Sequence, residues 1–334
     1  ALMILEAWDD AIEVLTAFRH HYPDHRLQPD VTNNLAHVYG EAGQLSLAAS
    51  EYERIERESD DDDIRREALK VAAELYEEVG EGDEAIRVYR RYISRFPQPL
   101  GPVVEMHQKV ALLLKARGDT SGHHAELRQI VALDSRAGEQ RNHRMRYLAG
   151  HAALTLAEPG FHDYAAIRLT QPFERTLVLK RNAMREQSQR FSALVEYEVG
   201  EVTAAATWYV AEINYEFSRA LMDSERPDDM DELAMEQYEE LLDEQAYPFE
   251  ERAINIHQQN IALIDRGIFN RWVDRSVARL ADIVPGRYAR FEESSGFIGA
   301  IRNVSYDNLT QPSLPEAEEP EAEPAEIELA GGSR

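Results

Sequence analysis

Between Glu67 and Pro99 the chain carries Leu69, Ala72, Ala73, Tyr76, Gly80, Ala85, Tyr89, Tyr92 and Pro97, and this order leaves little choice of structure. Read at helical spacing, the run gives two amphipathic helices. Small residues sit where the helices must approach, tyrosines fill the space beside them, and Gly80 allows the turn. A single hairpin of this kind cannot bury its own apolar face, so its neighbours have to repeat it. Leu35, Ala36, Tyr39, Gly43, Ala48, Tyr52 and Ile55 do so 37 residues earlier. Val110, Ala111, Leu114, Gly118, Leu127 and Ile130 do so 38 residues later, with His123 standing where alanine is expected.

Small, aromatic and glycine positions in this order resemble the tetratricopeptide repeat (TPR). The resemblance implies an all-α fold, a right-handed α-solenoid of TPR-like helical hairpins with degenerate repeats towards the C-terminus. Ala11, Leu15, Phe18 and Pro23 match second-helix positions, so the first repeat is read as truncated and the chain as a fragment of a longer protein. In this family the inner helix of each hairpin lines a concave binding face. That places Asn33, His37, Glu67, Lys70, Glu74, Glu77, Gln108, Leu112 and Lys115 on a peptide-binding groove. Family members that clamp a terminal carboxylate use lysine early in the groove. Here Glu67 and Glu105 occupy those positions, and that clamp is not expected.

Past Asp134 the regular repeat fades. Residues Ser135 to Asn142 read as a break, and His143 to Ala157 as a helix stopped by Pro159 and Gly160. Phe161 to Gln171 reads as an irregular connector. Pro172 then opens a long helix to Glu198, ended by Gly200. A partner from Glu201 to about Ser224 presents Ala204, Ala205 and Ala206 for close packing. Helices at Met230–Ala246, Pro248–Arg266 and Ile268–Val284 follow, with His257 as a core residue on an apolar stripe. The expected organisation is therefore TPR-like repeats over 1–134, a long-helix continuation over 135–310, and a disordered acidic tail over 311–334, too rich in Pro and Glu to form a core.

Formal net charge is −26, and the residues after Pro315 hold seven Glu against one Arg, leaving about −20 on the rest. Such a field disfavours nucleic acid and anionic lipid, and either favours basic partners or serves solubility alone. With no cysteine there is no disulfide, thiol catalysis or Cys-based zinc site. No i,i+4 pair among His20, His21, His25, His123 and His124 is joined by a nearby carboxylate, so these read as surface histidines, and the run Asp60 to Asp63 suits a helix start rather than a calcium loop. No phosphate loop, nucleophile elbow or zinc-protease motif is present, so neither an enzyme activity nor a cofactor or metal is expected. No apolar run is long enough to span a membrane.

These features lead to a protein–protein interaction scaffold that binds a partner protein or peptide, with its oligomeric state open. Gln245-Ala246-Tyr247-Pro248-Phe249-Glu250-Glu251, within Met235 to Pro285, resembles the end of long repeat proteins of bacterial cell envelopes, some of which accompany motor or gliding complexes. That resemblance favours the envelope or periplasm over the cytoplasm. A helical accessory region of a larger enzyme and a structural spacer or oligomerisation module are the alternatives.

Overall fold

The computed structural model describes residues 1–228 and 230–289, and every regular element in them is helical. Helix α1 (Trp8–His21) precedes three hairpins: α2 (Gln28–Glu41) with α3 (Leu45–Glu58), α4 (Asp62–Glu78) with α5 (Gly82–Arg95), and α6 (Leu100–Ala116) with α7 (Thr120–Ser135). Then come α8 (His143–Ala165), α9 (Phe173–Ala193), α10 (Gly200–Met222), α11 (Glu232–Ile261), α12 (Arg271–Ile283) and the single turn α13 (Pro285–Tyr288). Successive helices pack on one another in chain order, as an α-solenoid of helical hairpins requires.

The hairpins form for the reasons their sequence supplies. Gly43, Gly80 and Gly118 adopt φ of 73°, 81° and 81°, the left-handed turn conformation that costs other residues strain. Leu69, Ala72, Ala73, Ala85 and Tyr89 are fully buried, and their core continues through Val88, Tyr92, Met106 and Val110 into the next hairpin. Asp61 caps α4 by accepting from the backbone N–H groups of Asp63 and Ile64. His123, standing in the alanine position, is buried with Nδ1 2.8 Å from the Ala111 carbonyl oxygen, so the third hairpin closes through a polar contact.

Charge then ties each repeat to the next. Arg19 donates twice to Glu51 at 2.6 Å. Arg87 donates to Glu53 at 2.5 and 2.9 Å, Arg91 to Glu56, and Arg90 to Glu126 at 3.1 Å. Each of these pairs spans 32 to 36 residues, just under one repeat length. Burial by itself would raise the Glu53 carboxyl, but the bonds and charge of Arg87 hold it below the usual carboxylate range. Tyr76, buried and donating to the same carboxylate at 3.3 Å, is pushed up to about 12.

Beyond α7 several helix boundaries differ from the sequence expectation. Helix α8 does not stop at Pro159 and Gly160 but runs through both to Ala165, so the first five residues of the expected connector are helical. A Cβ on Gly160 would lie 2.6 Å from Gln187 Oε1, so this glycine permits the close approach of α9. The helix from Phe173 ends in a 3-10 turn and in Glu198 at φ 54°, while Gly200 begins α10, packed under Ile268. Pro248 starts no helix; it lies inside α11, whose 30 residues replace the two expected segments. Here tertiary packing outweighs the local cost of proline, because Leu242, Ala246, Ala253, His257 and Asn260 bury one continuous stripe. Gly267 does end the following 3-10 turn in the left-handed conformation.

Helix α10 is the centre of this second region, packing on α8, α9, α11 and α12. Tyr209 stacks on Phe191 at 4.3 Å and meets Phe161, Trp208 and Trp272 at 4.8–5.3 Å. Ala1–Tyr288 packs as one unit, within which the change after Asp134 is a change in packing style. Residues 290–310, the end of the expected long-helix continuation, and the acidic segment 311–334 with its expected disorder lie outside the described residues.

Candidate protein-binding groove

Helices α4, α6 and α8 face a common groove of about 690 Å³. Its floor is apolar: Tyr92 from α5, Met106 from α6, and Met145 and Leu148 from α8, all buried among their neighbours. Tyr92 packs against Phe96 at 5.7 Å, and Phe96 in turn lies under the guanidinium groups of Arg65 and Arg66 at 5.5 and 5.1 Å. Burial raises the Tyr92 hydroxyl above its ordinary value, and nearby Glu67 adds to the shift while Arg66 opposes it.

Most charges on the rim are paired. Arg66 bonds Asp63, Lys70 lies 3.6 Å from Glu67, and Arg144 donates to both oxygens of Glu105 at 2.8 and 3.2 Å. Lys109 donates to Glu77 at 3.0 Å, and the Tyr89 hydroxyl donates to the same carboxylate at 2.9 Å. Glu74 has no ion-pair partner among the described residues. Four acidic side chains (Asp63, Glu67, Glu74, Glu105) thus face four basic ones (Arg66, Lys70, Lys109, Arg144). The formal charge of −26 is therefore not concentrated in the groove. Exposed pairs of this kind contribute little stability, so a ligand can exchange them for its own charges at small cost.

Of the nine residues expected on the groove, the structure brings Glu67, Lys70 and Glu74 to it. Glu77 lies one turn further along α4, anchoring Lys109 and lining a smaller recess with Gly80, Asp83 and Leu113. Asn33 lines a separate shallow recess with Ile55 and Ile64, and the His37 ring meets Trp8 edge-on at 6.2 Å. Gln108, Leu112 and Lys115 do not line the groove; α6 presents Pro102, Glu105, Met106 and Lys109 instead. The groove follows the repeat register, with Glu105 38 residues after Glu67 and Met145 39 residues after Met106, and it is lined by the first half of α6, ahead of Leu112 and Lys115.

The sequence reading also missed Arg144, Met145 and Leu148, because it ended the repeat at Asp134. The signal was present. Ala149 and Gly150 fall 39 residues after Val110 and Ala111, a fourth small pair, and both are buried. A Cβ on Gly150 would lie 3.2 Å from Tyr197, so this position admits the close contact that the small pair predicts.

A second polar cluster lies in the core of the second region. Glu212 accepts two 2.8 Å bonds from Arg279, and its Oε1 is 3.3 Å from His257 Nε2. Asn260 donates to Ser276 Oγ at 2.9 Å, leaving the serine hydroxyl proton for His257 Nδ1 at 3.1 Å and a proton on Nε2 facing Glu212. Burial would raise the Glu212 carboxyl, but His257 and Arg279 hold it below the usual range. Serine, histidine and carboxylate here resemble an acyl-transfer triad in type only. Ser276 and His257 are wholly buried, and a nucleophile has to be reached by substrate. The cluster joins α10, α11 and α12.

No family model matches the chain, and no match is found among curated proteins. Among solved structures, the C-terminal part of a TPR repeat-containing protein from Cytophaga hutchinsonii overlays 86% of this chain and 95% of its own at 13% identity and a TM-score of 0.35. A computationally designed self-assembling cyclic homo-oligomer overlays 84% and 92% at 14% identity and a TM-score of 0.24. Overlays this loose carry no argument, and the fold assignment stands on helix order, the turn glycines and the packing described above. No described helix is long and apolar enough to cross a membrane.

Proposed function

We propose that this chain is a protein-binding scaffold whose groove between α4, α6 and α8 receives a segment of a partner protein. One observation carries the reading: an apolar floor of Tyr92, Met106, Met145 and Leu148 is enclosed by a rim of equal and opposite charge. The floor suits two or three apolar side chains, each contributing about 1.5–3 kcal/mol before the cost of ordering the segment. The balanced rim favours a segment carrying charges of both signs over a purely basic one. The role is binding rather than catalysis. The stretch around Tyr247 to Glu251 supports a place in a bacterial envelope assembly, by resemblance alone.

The test is selection of peptides from a random display library on the folded chain, followed by titration against variants. Selected peptides are expected to carry spaced aliphatic or aromatic anchors. Met145→Ala should weaken them about tenfold or more, and Lys109→Glu with Arg144→Glu should change which flanking charges are preferred. Selected peptides whose affinity ignores all three changes would move the site elsewhere.

A further inference from the structure

Two helices flanking α10 carry outward faces of opposite charge, and neither face is neutralised among the described residues. On α9, Arg175, Arg181 and Arg185 are exposed and make no ion pair among the described residues. Between them Val178 and Leu179 are 59% and 57% exposed. This is a basic, partly apolar surface on a chain of net charge −26.

On α11, Glu232, Glu236, Glu240 and Glu244 recur every fourth residue, so each lies one turn, about 6 Å, from the next. Like charges at this spacing destabilise a helix. Of the carboxylates from Glu232 to Glu251 only Glu239 has an ion-pair partner among the described residues, Arg226 at 3.7 Å. Leu233, Leu241 and Tyr247 on the same helix are 65%, 51% and 61% exposed. Arg181 and Arg185 share the four-residue spacing of the glutamates.

We propose that the arginine face of α9 docks on the carboxylate face of α11 from a second copy of this chain. Charge complementarity, equal axial spacing and exposed aliphatic side chains on both faces argue for that occupant, since one sequence supplies both halves of the contact. Because the two faces are different surfaces, the contact is heterologous, and successive copies join head to tail or in a closed ring. Two chains this acidic repel at long range. At physiological ionic strength the screening length is about 8 Å, which suppresses that repulsion and leaves charges in direct contact coupled.

Sedimentation velocity across a concentration series, in about 0.15 M salt, tests this. The unaltered chain is expected to shift to larger species as concentration rises. Arg181→Glu with Arg185→Glu should raise the dissociation constant about a hundredfold or more, and so should Glu240→Arg with Glu244→Arg, each with unchanged helicity. Mixing the two double variants restores opposite charge across the contact and should restore association. An unaltered chain that stays monomeric throughout overturns the proposal. So does association that survives both double variants, or a mixture no more associated than its parts.

Discussion

The hairpins α2 to α7 and the helices α8 to α12 bury apolar surface by different means. In the first region each hairpin packs mainly on its neighbours, and arginine–glutamate pairs just under one repeat apart fasten the contact. In the second, four helices converge on α10, and one cluster of aromatics with one buried polar network serves them all. Damage in the first region should therefore stay local. Damage to the hub should reach every helix packed on it.

The largest expected effect is on the repeat region. Ala85 is fully buried between α4 and α5, so Ala85→Glu both overpacks the hairpin and buries a charge without a partner. Thermal or urea unfolding should show a loss of about 4 kcal/mol or more. An unchanged midpoint would mean that the hairpin register is wrong.

Next is Glu212→Ala, which leaves Arg279 and His257 facing each other in the core; the expected cost is about 3 kcal/mol. Denaturant titrations of this variant should show α8 to α12 weakening together. A cost below about 0.5 kcal/mol would remove the polar network from the account of the hub.

Acid should separate the regions more gently. Glu53, Glu126 and Glu212 all have folded values below the ordinary 4.5. Their contribution is therefore complete above pH 4.5 and lost as pH falls through the folded values. His151, lowered from 6.5 chiefly by burial, is held neutral, so its contribution is full above that value and declines as pH falls through the folded one. Stability measured from pH 7 downward should thus fall slightly at first and steeply below about 4.5, with Glu212→Gln flattening the steep limb. A flat profile to pH 3 would contradict the assignment of these carboxylates as paired.

The smallest effect is a control. Arg117 and Asp83 form a one-repeat pair in which both side chains are mostly exposed, and Arg117→Ala should cost less than about 0.5 kcal/mol. A larger loss would show that exposed ion pairs, as well as buried ones, hold neighbouring repeats together.

What the sequence revealed follows the same division. Tyr76, Gly80 and Ala85 announce their hairpin because a nearest-neighbour stack has to repeat its contacts at a fixed spacing. The buried Glu53 and Glu56 were invisible, since their arginines lie a whole repeat away and look like ordinary surface charge. In the second region Pro159 and Pro248 read as helix boundaries, yet both lie inside helices whose buried stripes outweigh local propensity. The groove was half legible for a related reason. Glu67, Lys70 and Glu74 follow from register on α4, whereas Met106 belongs to the first half of α6, ahead of the residues expected there, and Arg144 and Met145 lie past Asp134, where the regular repeat fades in the sequence.

Amide hydrogen exchange followed by mass spectrometry, on the unaltered chain, Ala85→Glu and Glu212→Ala, tests the division most directly. The account predicts the strongest protection in α10. It also predicts that Ala85→Glu raises exchange in α3 to α6 while leaving α10 to α12 as they were, and that Glu212→Ala raises it throughout α8 to α12 while sparing α2 to α5. If either variant raises exchange evenly from α1 to α12, the chain unfolds as one cooperative block and the contrast between neighbour-coupled repeats and a hub is wrong.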